Sequence, residues 1–556
     1  MLLAAVAFAA LVARLAFVQV LDGARYASYA TGEVDQRVVL PAVRGTIYDE
    51  NGDLLAVSVS RYDVVADDFL VTAPIVEAEA LAGPLRQPVA SLEAALREQN
   101  GYVVLAREVT ASTRSTISNL GLGGISFQDD TLRMYPATQI VEPLIGGVNA
   151  AGTGDSALEY QLNGSLSGTP GSETVAEAPG GTVLPAGATD VHQPRLGTSV
   201  VLTIDEPLQV EVTKDVTAQM LATGAHSGIA VVMSVHTGAI LAMVDLVRGP
   251  KGAIVPAPQN LAVTSVYQPG SVMKLATIAF ALQDHLIEPN TVFSVPYSLD
   301  VGGYGFADAD FHPTENLPVT QILAQSSNIG TIKISRLLGL NRLAGALQSF
   351  GFGQYSGLDW PGESPGIVGS PSQWYGSAAA SVPIGTGEAV TPLQVLDAYN
   401  SVANGGVLVT PHLEQATVAG GVERPFAVAA GRRDLSPSTV AQLIPMLTDV
   451  TTLSDGTATD ARIPGYEVAG KTGTAQQPKA NGLLGYVKGD WNASFVGFVP
   501  AQAPQLSAIV VLNHPTPIYG GVVSAPVFAR IMGYALAHFD IAPPLGTASG
   551  PKNQAG

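Results

Sequence analysis

The sequence predicts an α+β protein in which a segregated sheet carries helices on both faces, preceded by a region of short strands and turns and by an apolar N-terminal segment. Three observations point there. From residue 197 onward, strand and helix patterns are long and regular, in an order that suits a sheet layered between helices. Before about residue 195 the chain reads as short strands and turns with some helix, closed by a Gly-, Pro- and Ala-rich loop at 179–194. Residues 2–21 are apolar except for Arg14 and Gln19, about the length that a membrane-spanning helix requires.

Length and composition set the frame for these elements. A chain of 556 residues exceeds one compact domain. The expected division is an anchor at 1–21, an N-terminal domain at 22–195, a larger domain at 196–540 and a disordered Pro-, Gly- and Ala-rich tail at 541–556. A cleaved signal peptide is the alternative for the first segment, but a basic leading region and a small-residue cleavage site are missing. Hydrophobic residues make up 47% and charged residues 13%, enough for a sizeable core and against wholesale disorder. The formal charge of −19 excludes a nucleic-acid partner, which needs clustered Lys and Arg. The absence of cysteine excludes a disulfide framework, a thiolate metal site and a cysteine nucleophile. The histidines lack HExxH-type spacing, and no Gly-rich phosphate loop precedes a Lys-Ser/Thr pair, so neither a metal nor a cofactor is expected.

Taken in order, the first clear element is the turn at Asn51-Gly52, between the apolar runs of Tyr48-Asp-Glu-Asn-Gly-Asp-Leu-Leu-Ala56. Residues 200–204 read as a strand and 207–221 as a helix. Residues 229–235 and 239–244 read as a buried hairpin turning at His236-Thr-Gly238. Residues 494–499 and 506–512 are further strands, and 525–539 is an apolar helix. No repeat period stands out.

Three short motifs carry chemistry. Ser271-Val-Met-Lys274 follows Tyr267-Gln-Pro-Gly270 and opens the apolar run 275–282, so a helix starts there. Positions i and i+3 share a helix face, which brings the Ser271 hydroxyl within hydrogen-bond reach of the Lys274 amine. A serine hydroxyl needs a base. Lysine serves only if its pKa falls from about 10.4 toward neutrality, which burial in an apolar helix and the positive helix end favour. The spacing alone is weak: a helix cap beside a snorkelling lysine fits it equally well, and Ser549-Gly-Pro-Lys552 in the tail repeats it where nothing desolvates the lysine. Ser326-Ser327-Asn328 offers a hydroxyl for proton relay and an amide for a substrate carbonyl, although a polar helix junction would look the same. Lys471-Thr-Gly-Thr474 reads as a strand edge. There Lys471, Thr472 and Thr474 suit a carboxylate, and Gly473 lets a substrate backbone approach. A solvated edge strand with one lysine is the plainer alternative.

The order Ser-x-x-Lys, Ser-x-Asn, Lys-Thr-Gly is the set of penicillin-binding proteins and related β-lactamases. On these motifs the chain resembles a class B penicillin-binding protein, most like the division-specific transpeptidase of the FtsI type. Further stretches are similar to that family. They are Arg44-Gly-Thr-Ile-Tyr-Asp-Glu-Asn-Gly-Asp-Leu-Leu-Ala56, Arg133-Met-Tyr-Pro136, Gly154-Asp-Ser-Ala-Leu-Glu159, Gly385-Thr-Gly-Glu-Ala-Val-Thr-Pro-Leu-Gln394, Ala403-Asn-Gly-Gly406, Ala493-Ser-Phe-Val-Gly497 and Tyr519-Gly-Gly521. Glu50 stands where the family is often basic, and Ala157 where glycine is common.

The resemblance implies a single N-terminal transmembrane helix, an elongated pedestal of dimerisation type and a transpeptidase domain whose five-stranded antiparallel sheet lies between helices. It implies an extracytoplasmic enzyme of the plasma membrane that cross-links peptidoglycan stem peptides during septal wall synthesis. Ser271 would attack the D-Ala-D-Ala carbonyl, with Lys274 as base and Ser326 as relay. Asn328 would orient Lys274 and substrate, while Lys471, Thr472 and Thr474 hold the substrate carboxylate. The N–H groups of Ser271 and Thr474 would form the oxyanion hole. β-Lactams would acylate Ser271, and an FtsW-like polymerase with other division proteins would be the partners, the helix around Arg14 being a candidate contact. A β-lactamase would need neither anchor nor pedestal, and no deacylating glutamate motif is evident. A β-lactam sensor or silent scaffold is the reading from another class. Trapping with a fluorescent penicillin separates all three.

Overall fold

A computed structural model describes residues 2–18, 35–176, 189–479 and 485–544. Residues 1 and 19–21 of the expected anchor, 179–188 of the expected loop and 545–556 of the expected tail lie outside them. The described chain forms two compact units. The smaller draws on Met1–Thr46, Ala56–Met134 and Gly164–Ser199, the larger on Ile47–Leu55, Tyr135–Asn163 and Val200–Gly556. Residues 47–55 and 135–163, expected in the N-terminal domain, therefore group with the larger unit. Strand-and-turn texture does not reveal which core a segment joins.

In the smaller unit, Leu54–Ala66 pairs antiparallel with Val103–Val109 and with Ile125–Met134. Helices Pro74–Leu85, Val89–Ala95 and Ala111–Ser118 cover this sheet, and Val64, Leu81, Leu92, Leu96, Leu105 and Ile117 form its core. Asp35–Leu40, Gly171–Ala176 and Thr189–His192 make a separate three-stranded sheet. The first helix, Leu2–Ala16, exposes Val6, Phe8, Leu11 and Leu15 and carries a single charge, Arg14.

The larger unit is built on one sheet, whose strands are numbered here in chain order: β1 (Ser227–Ser234), β2 (Ile240–Arg248), β3 (Ile254–Pro256), β4 (Ala469–Pro478), β5 (Tyr486–Val499) and β6 (Leu506–Asn513). Their spatial order is β3-β2-β1-β6-β5-β4, antiparallel throughout. The sheet thus has six strands rather than the five that the family resemblance implies. The extra one is a three-residue edge strand ending in Pro256, where a missing N–H is tolerated. Val231 and Met233 alternate with Ala230 and Val232, yet all four are buried. Both faces of the sheet are therefore covered, as the unbroken apolar runs in the sequence require.

Helices α1 (Glu206–Thr223) and α2 (Ala525–His538) share one core with Ala230, Val232, Val244, Phe495 and Val510. Asp205 caps α1 by accepting the Leu208 N–H at 2.7 Å, and Gly224 ends it in the left-handed region. The stretch Gly520–His538 is long and apolar enough to cross a bilayer, but Val527, Phe528, Ile531 and Met532 are buried in the protein core. On the opposite face, Asn400 of the helix Pro392–Ala403 donates to the Val235 carbonyl and accepts from Ser507 Oγ at 2.7 Å. Below Tyr48, Asp49 N–H donates to the Asp53 carbonyl at 2.9 Å, closing the predicted turn, with Gly52 at φ 90°.

Candidate active site

Ser271 lies in a 3₁₀ turn, Gly270–Met273, that runs directly into the α-helix Lys274–Gln283. With three residues per turn, positions 271 and 274 lie nearly in line along the helix axis. The turn is clamped from two sides. Gly270 N–H donates to the Gly385 carbonyl at 2.8 Å, and the buried Tyr399 hydroxyl donates to the Val272 carbonyl at 2.8 Å. Gly385 sits at φ 83°, and a Cβ there would come 2.0 Å from the Gly270 carbonyl oxygen, so only glycine fits.

Lys274 has no exposed surface. Burial pushes its pKa from 10.5 down to about 7, against the pull of the Asp308 carboxylate, which favours the charged form. Its Nζ donates to the Ser326 carbonyl and lies 3.2 Å from Ser326 Oγ. Among the described residues no hydrogen bond joins Nζ to the Ser271 hydroxyl. The amine is turned toward the second motif.

Ser326 stands between the helix Val319–Ala324 and the helix Asn328–Leu338, at φ 62°. The next residue, Ser327, caps the second helix by accepting the Gly330 N–H at 2.9 Å. Asn328 differs from expectation. Its side-chain amide donates to the Ala307 carbonyl at 2.8 Å and makes no bond to Lys274. It ties the motif to the chain before it instead of orienting the amine.

Lys471 lies on β4, at the edge of the sheet as the sequence suggests, yet it is fully buried. Burial and the Lys274 charge both press its pKa well below the usual range. Its Nζ donates to the Thr472 carbonyl at 3.3 Å and to Thr472 Oγ1 at 3.2 Å, and Thr472 Oγ1 lies 2.9 Å from Thr457 Oγ1. Thr474 Oγ1 accepts the Gly520 N–H at 3.3 Å. A Cβ on Gly473 would sit 2.3 Å from Ser494 Oγ and 2.7 Å from the Pro269 carbonyl. The glycine is what lets β4 press against the nucleophile turn.

All three motifs therefore meet around the two lysines, and the solvated alternatives for Lys274 and Lys471 fail on burial. Two participants had no sequence signal: Asp308, which follows a short hairpin, and Tyr399, which reads as one more core aromatic. A cavity of about 740 Å³ in this unit is lined by residues such as Tyr135, Asn260 and Trp360 and by none of the motif residues. Among the described residues, Asp49, Asp53 and Glu206 bring carboxylate oxygens within 4.8 Å of one another, apart from the motifs.

With this geometry in view, the comparisons with known proteins fall into place. Residues 228–533 match the model of the penicillin binding protein transpeptidase domain, and residues 39–202 match that of the penicillin-binding protein dimerisation domain. The chain is 32% identical to the penicillin-binding protein PbpB of Mycobacterium tuberculosis, covering 97% of this chain and 84% of that one. It is 31% identical to the peptidoglycan D,D-transpeptidase FtsI of Escherichia coli, over 92% of this chain and 86% of that one. Among solved structures, penicillin binding protein 3 of M. tuberculosis in complex with aztreonam superposes with a TM-score of 0.72. That match is at 28% identity and covers 91% of this chain and 98% of the other.

Proposed function

Because the chain belongs to the penicillin-binding proteins and is a serine-type peptidoglycan D,D-transpeptidase of that family, we propose that Ser271 is its nucleophile and Lys274 the base that activates it. The observation that carries this assignment is the buried Lys274, whose pKa is brought down to about 7, one helical turn after Ser271 and in contact with the Ser-x-Asn motif.

The neutral amine takes the Ser271 proton as Oγ attacks the carbonyl of the penultimate D-Ala of a donor stem. Collapse of the tetrahedral adduct breaks the amide bond. The proton passes from Lys274 through the Ser326 hydroxyl to the leaving D-Ala nitrogen. The ester left on Ser271 is then attacked by the neutral amine of a second stem, whose proton passes to Lys274 and from there to the Ser271 oxygen as the ester bond breaks. Lys471, Thr472 and Thr474 hold the donor carboxylate and Gly473 makes room for its backbone, while the N–H groups of Ser271 and Thr474 receive the oxyanion. Asn328 acts on the substrate side or through the turn that it braces. The aztreonam complex of the M. tuberculosis relative supports β-lactams as acylating mimics.

The similarity to FtsI of E. coli supports a role in septal synthesis, with an FtsW-like polymerase and other division proteins as partners. The helix Leu2–Ala16, apolar and exposed over Val6, Phe8, Leu11 and Leu15, supports a single-pass anchor with the catalytic unit outside the plasma membrane. Fluorescent penicillin tests the core of the reading. Stable labelling that disappears in Ser271→Ala is expected. Rapid turnover of the label would indicate a lactamase, and absence of labelling a silent scaffold. Cross-linking of a donor stem to an acceptor amine completes the test.

A further inference from the structure

We infer that Asp308 is the positioning residue of this active site, holding the Ser326 turn against Lys274, and that its pairing with His312 sets the pH at which Lys274 begins to act as a base. The inference rests on the acyl-enzyme reading above and adds residues outside its three motifs.

The first part is geometric. The strands Ser298–Val301 and Tyr304–Ala307 form a hairpin that delivers Asp308 to the head of the helix Asn328–Leu338. There the Asp308 carboxylate is saturated. Oδ1 accepts the N–H groups of Asn328 and Ile329, and Oδ2 accepts the Ser327 hydroxyl at 2.8 Å and lies 3.1 Å from His312 Nε2. Asn328 answers with its amide on the Ala307 carbonyl. The hairpin is thus latched to all of Ser327, Asn328 and Ile329, the residues that follow Ser326. Ser326 is held at φ 62°, a conformation that strains a non-glycine residue and survives only where its surroundings over-determine it. The latch supplies that constraint. Its product is the Ser326 carbonyl and hydroxyl, both placed on Lys274 Nζ.

The second part is electrostatic. His312 Nδ1 lies 2.7 Å from the Pro313 carbonyl while Nε2 faces Asp308. A carbonyl and a carboxylate only accept, so both ring nitrogens must donate, and only the imidazolium can do that. Hydrogen bonds to Pro313 and Asp308 raise its pKa in spite of burial, and Glu315 adds a second anion 3.9 Å from Nδ1. The Tyr297 ring stands edge-on to the imidazole. Lys274 faces the Asp308 charge from this side and Lys471 from β4. Asp308 favours the ammonium form of Lys274, and a charged His312 offsets that field. The two residues therefore act on the amine with opposite sign.

The test follows acylation of the full chain by fluorescent penicillin across pH. Asp308→Asn should slow acylation about tenfold to a hundredfold through a displaced turn. It should also move the acid limb of the rate profile to lower pH by about half a unit or more, because an anion that stabilises the ammonium is gone. His312→Gln keeps a donor for Asp308 but removes the positive charge, and should move the same limb to higher pH with a smaller loss of rate. Opposite shifts support the proposal. Slower acylation with an unmoved limb in both variants makes Asp308 a structural brace only and overturns it, as does an unchanged rate in Asp308→Asn. Should Asp308→Asn fail to fold, the direction of the His312→Gln shift decides alone. A labelled wild type with unshifted variants overturns this proposal only, whereas a wild type that takes no label removes the acyl-enzyme reading beneath it.

Discussion

Lys274 and Lys471 form a buried pair of amines at the candidate active site, whereas Asp49, Glu50, Asp53, Asp205 and Glu206 crowd carboxylates together at a corner of the same unit. In both places burial and like-charge repulsion disfavour the charged form, and Lys274, Lys471, Glu50 and Glu206 are displaced toward the neutral one. At the active site the cost falls on an amine that must be neutral to work: Lys274 is brought to about 7 and Lys471 is pushed well below its usual range. At the acidic corner, burial and the neighbouring Asp205 and Asp49 raise Glu50 to about 7, and no reaction draws on it. His538, 2.9 Å from Asp205, the Leu208 N–H and the Asn51 amide together outweigh burial and hold Asp205 below the usual range. The difference teaches that a displaced pKa marks function only where groups able to use it accompany it, here one hydroxyl a helical turn away and a second in contact with the amine.

The strongest way to break the comparison is Lys274→Met. Loss of the base should lower the rate of penicillin acylation by about 10²- to 10⁴-fold. The same change should stabilise the fold by about 1–3 kcal/mol, since it removes a desolvated amine and leaves only the Ser326 carbonyl short of a donor. Activity and melting temperature then move in opposite directions. In the wild type the sign is fixed by the depressed lysine: acylation should rise as pH increases through about 7, where the amine loses its proton. Acylation that is already maximal at pH 5, or a destabilised methionine variant, would break the link between burial and basicity.

Glu50→Gln sharpens the contrast from the other side. A carboxyl raised from 4.5 to about 7 binds its proton more tightly in the folded state, so its ionisation destabilises the fold as pH climbs through that window. The neutral glutamine removes the penalty. Because Glu50 is only half-buried and screened by solvent, the expected gain is about 0.5–1 kcal/mol at pH 8, fading to nothing below pH 4.5. Thermal unfolding at the two pH values reads it directly, while acylation should be unaffected. An equal gain at both would mean that packing, not charge, is responsible.

The two buried lysines were legible in the sequence for the same reason that they are buried. Lysine is scarce in this chain, so one at the head of an apolar run and another among small residues stood out against their surroundings. The strands at Ser227–Ser234, Ile240–Arg248 and Leu506–Asn513 were legible because a doubly covered strand reads as an unbroken apolar run. What could not be read depends on contacts remote in sequence. Asp308 meets Ser327 only because a hairpin folds back, and nothing in Gly302-Gly-Tyr-Gly-Phe-Ala-Asp308 distinguishes that carboxylate from the exposed ones. The Asn328 side chain offers two N–H donors and an acceptor oxygen, and which partners it meets, here the Ala307 carbonyl, is settled by the hairpin that arrives. The edge strand Ile254–Pro256 is too short to carry a period.

Ala157 offers the smallest effect and the cleanest separation between backbone and charge. Its position was marked in the sequence as one where glycine is common, and the structure supplies the reason: φ is 48°, in the left-handed region, at the first residue of the helix Ala157–Gln161. A Cβ at that conformation is strained by roughly 1–2 kcal/mol. Ala157→Gly relieves that strain but admits more freedom to the unfolded chain, which costs about 0.4–1 kcal/mol. A net stabilisation of about 0.5–1 kcal/mol should remain, independent of pH and of salt, with acylation unchanged. That profile is the opposite of the one expected for Glu50→Gln, whose gain must vanish in acid. A gain at position 157 that also varied with pH would show that the segment answers to the nearby carboxylates rather than to its own backbone, and a loss would show that the methyl group packs too well to give up.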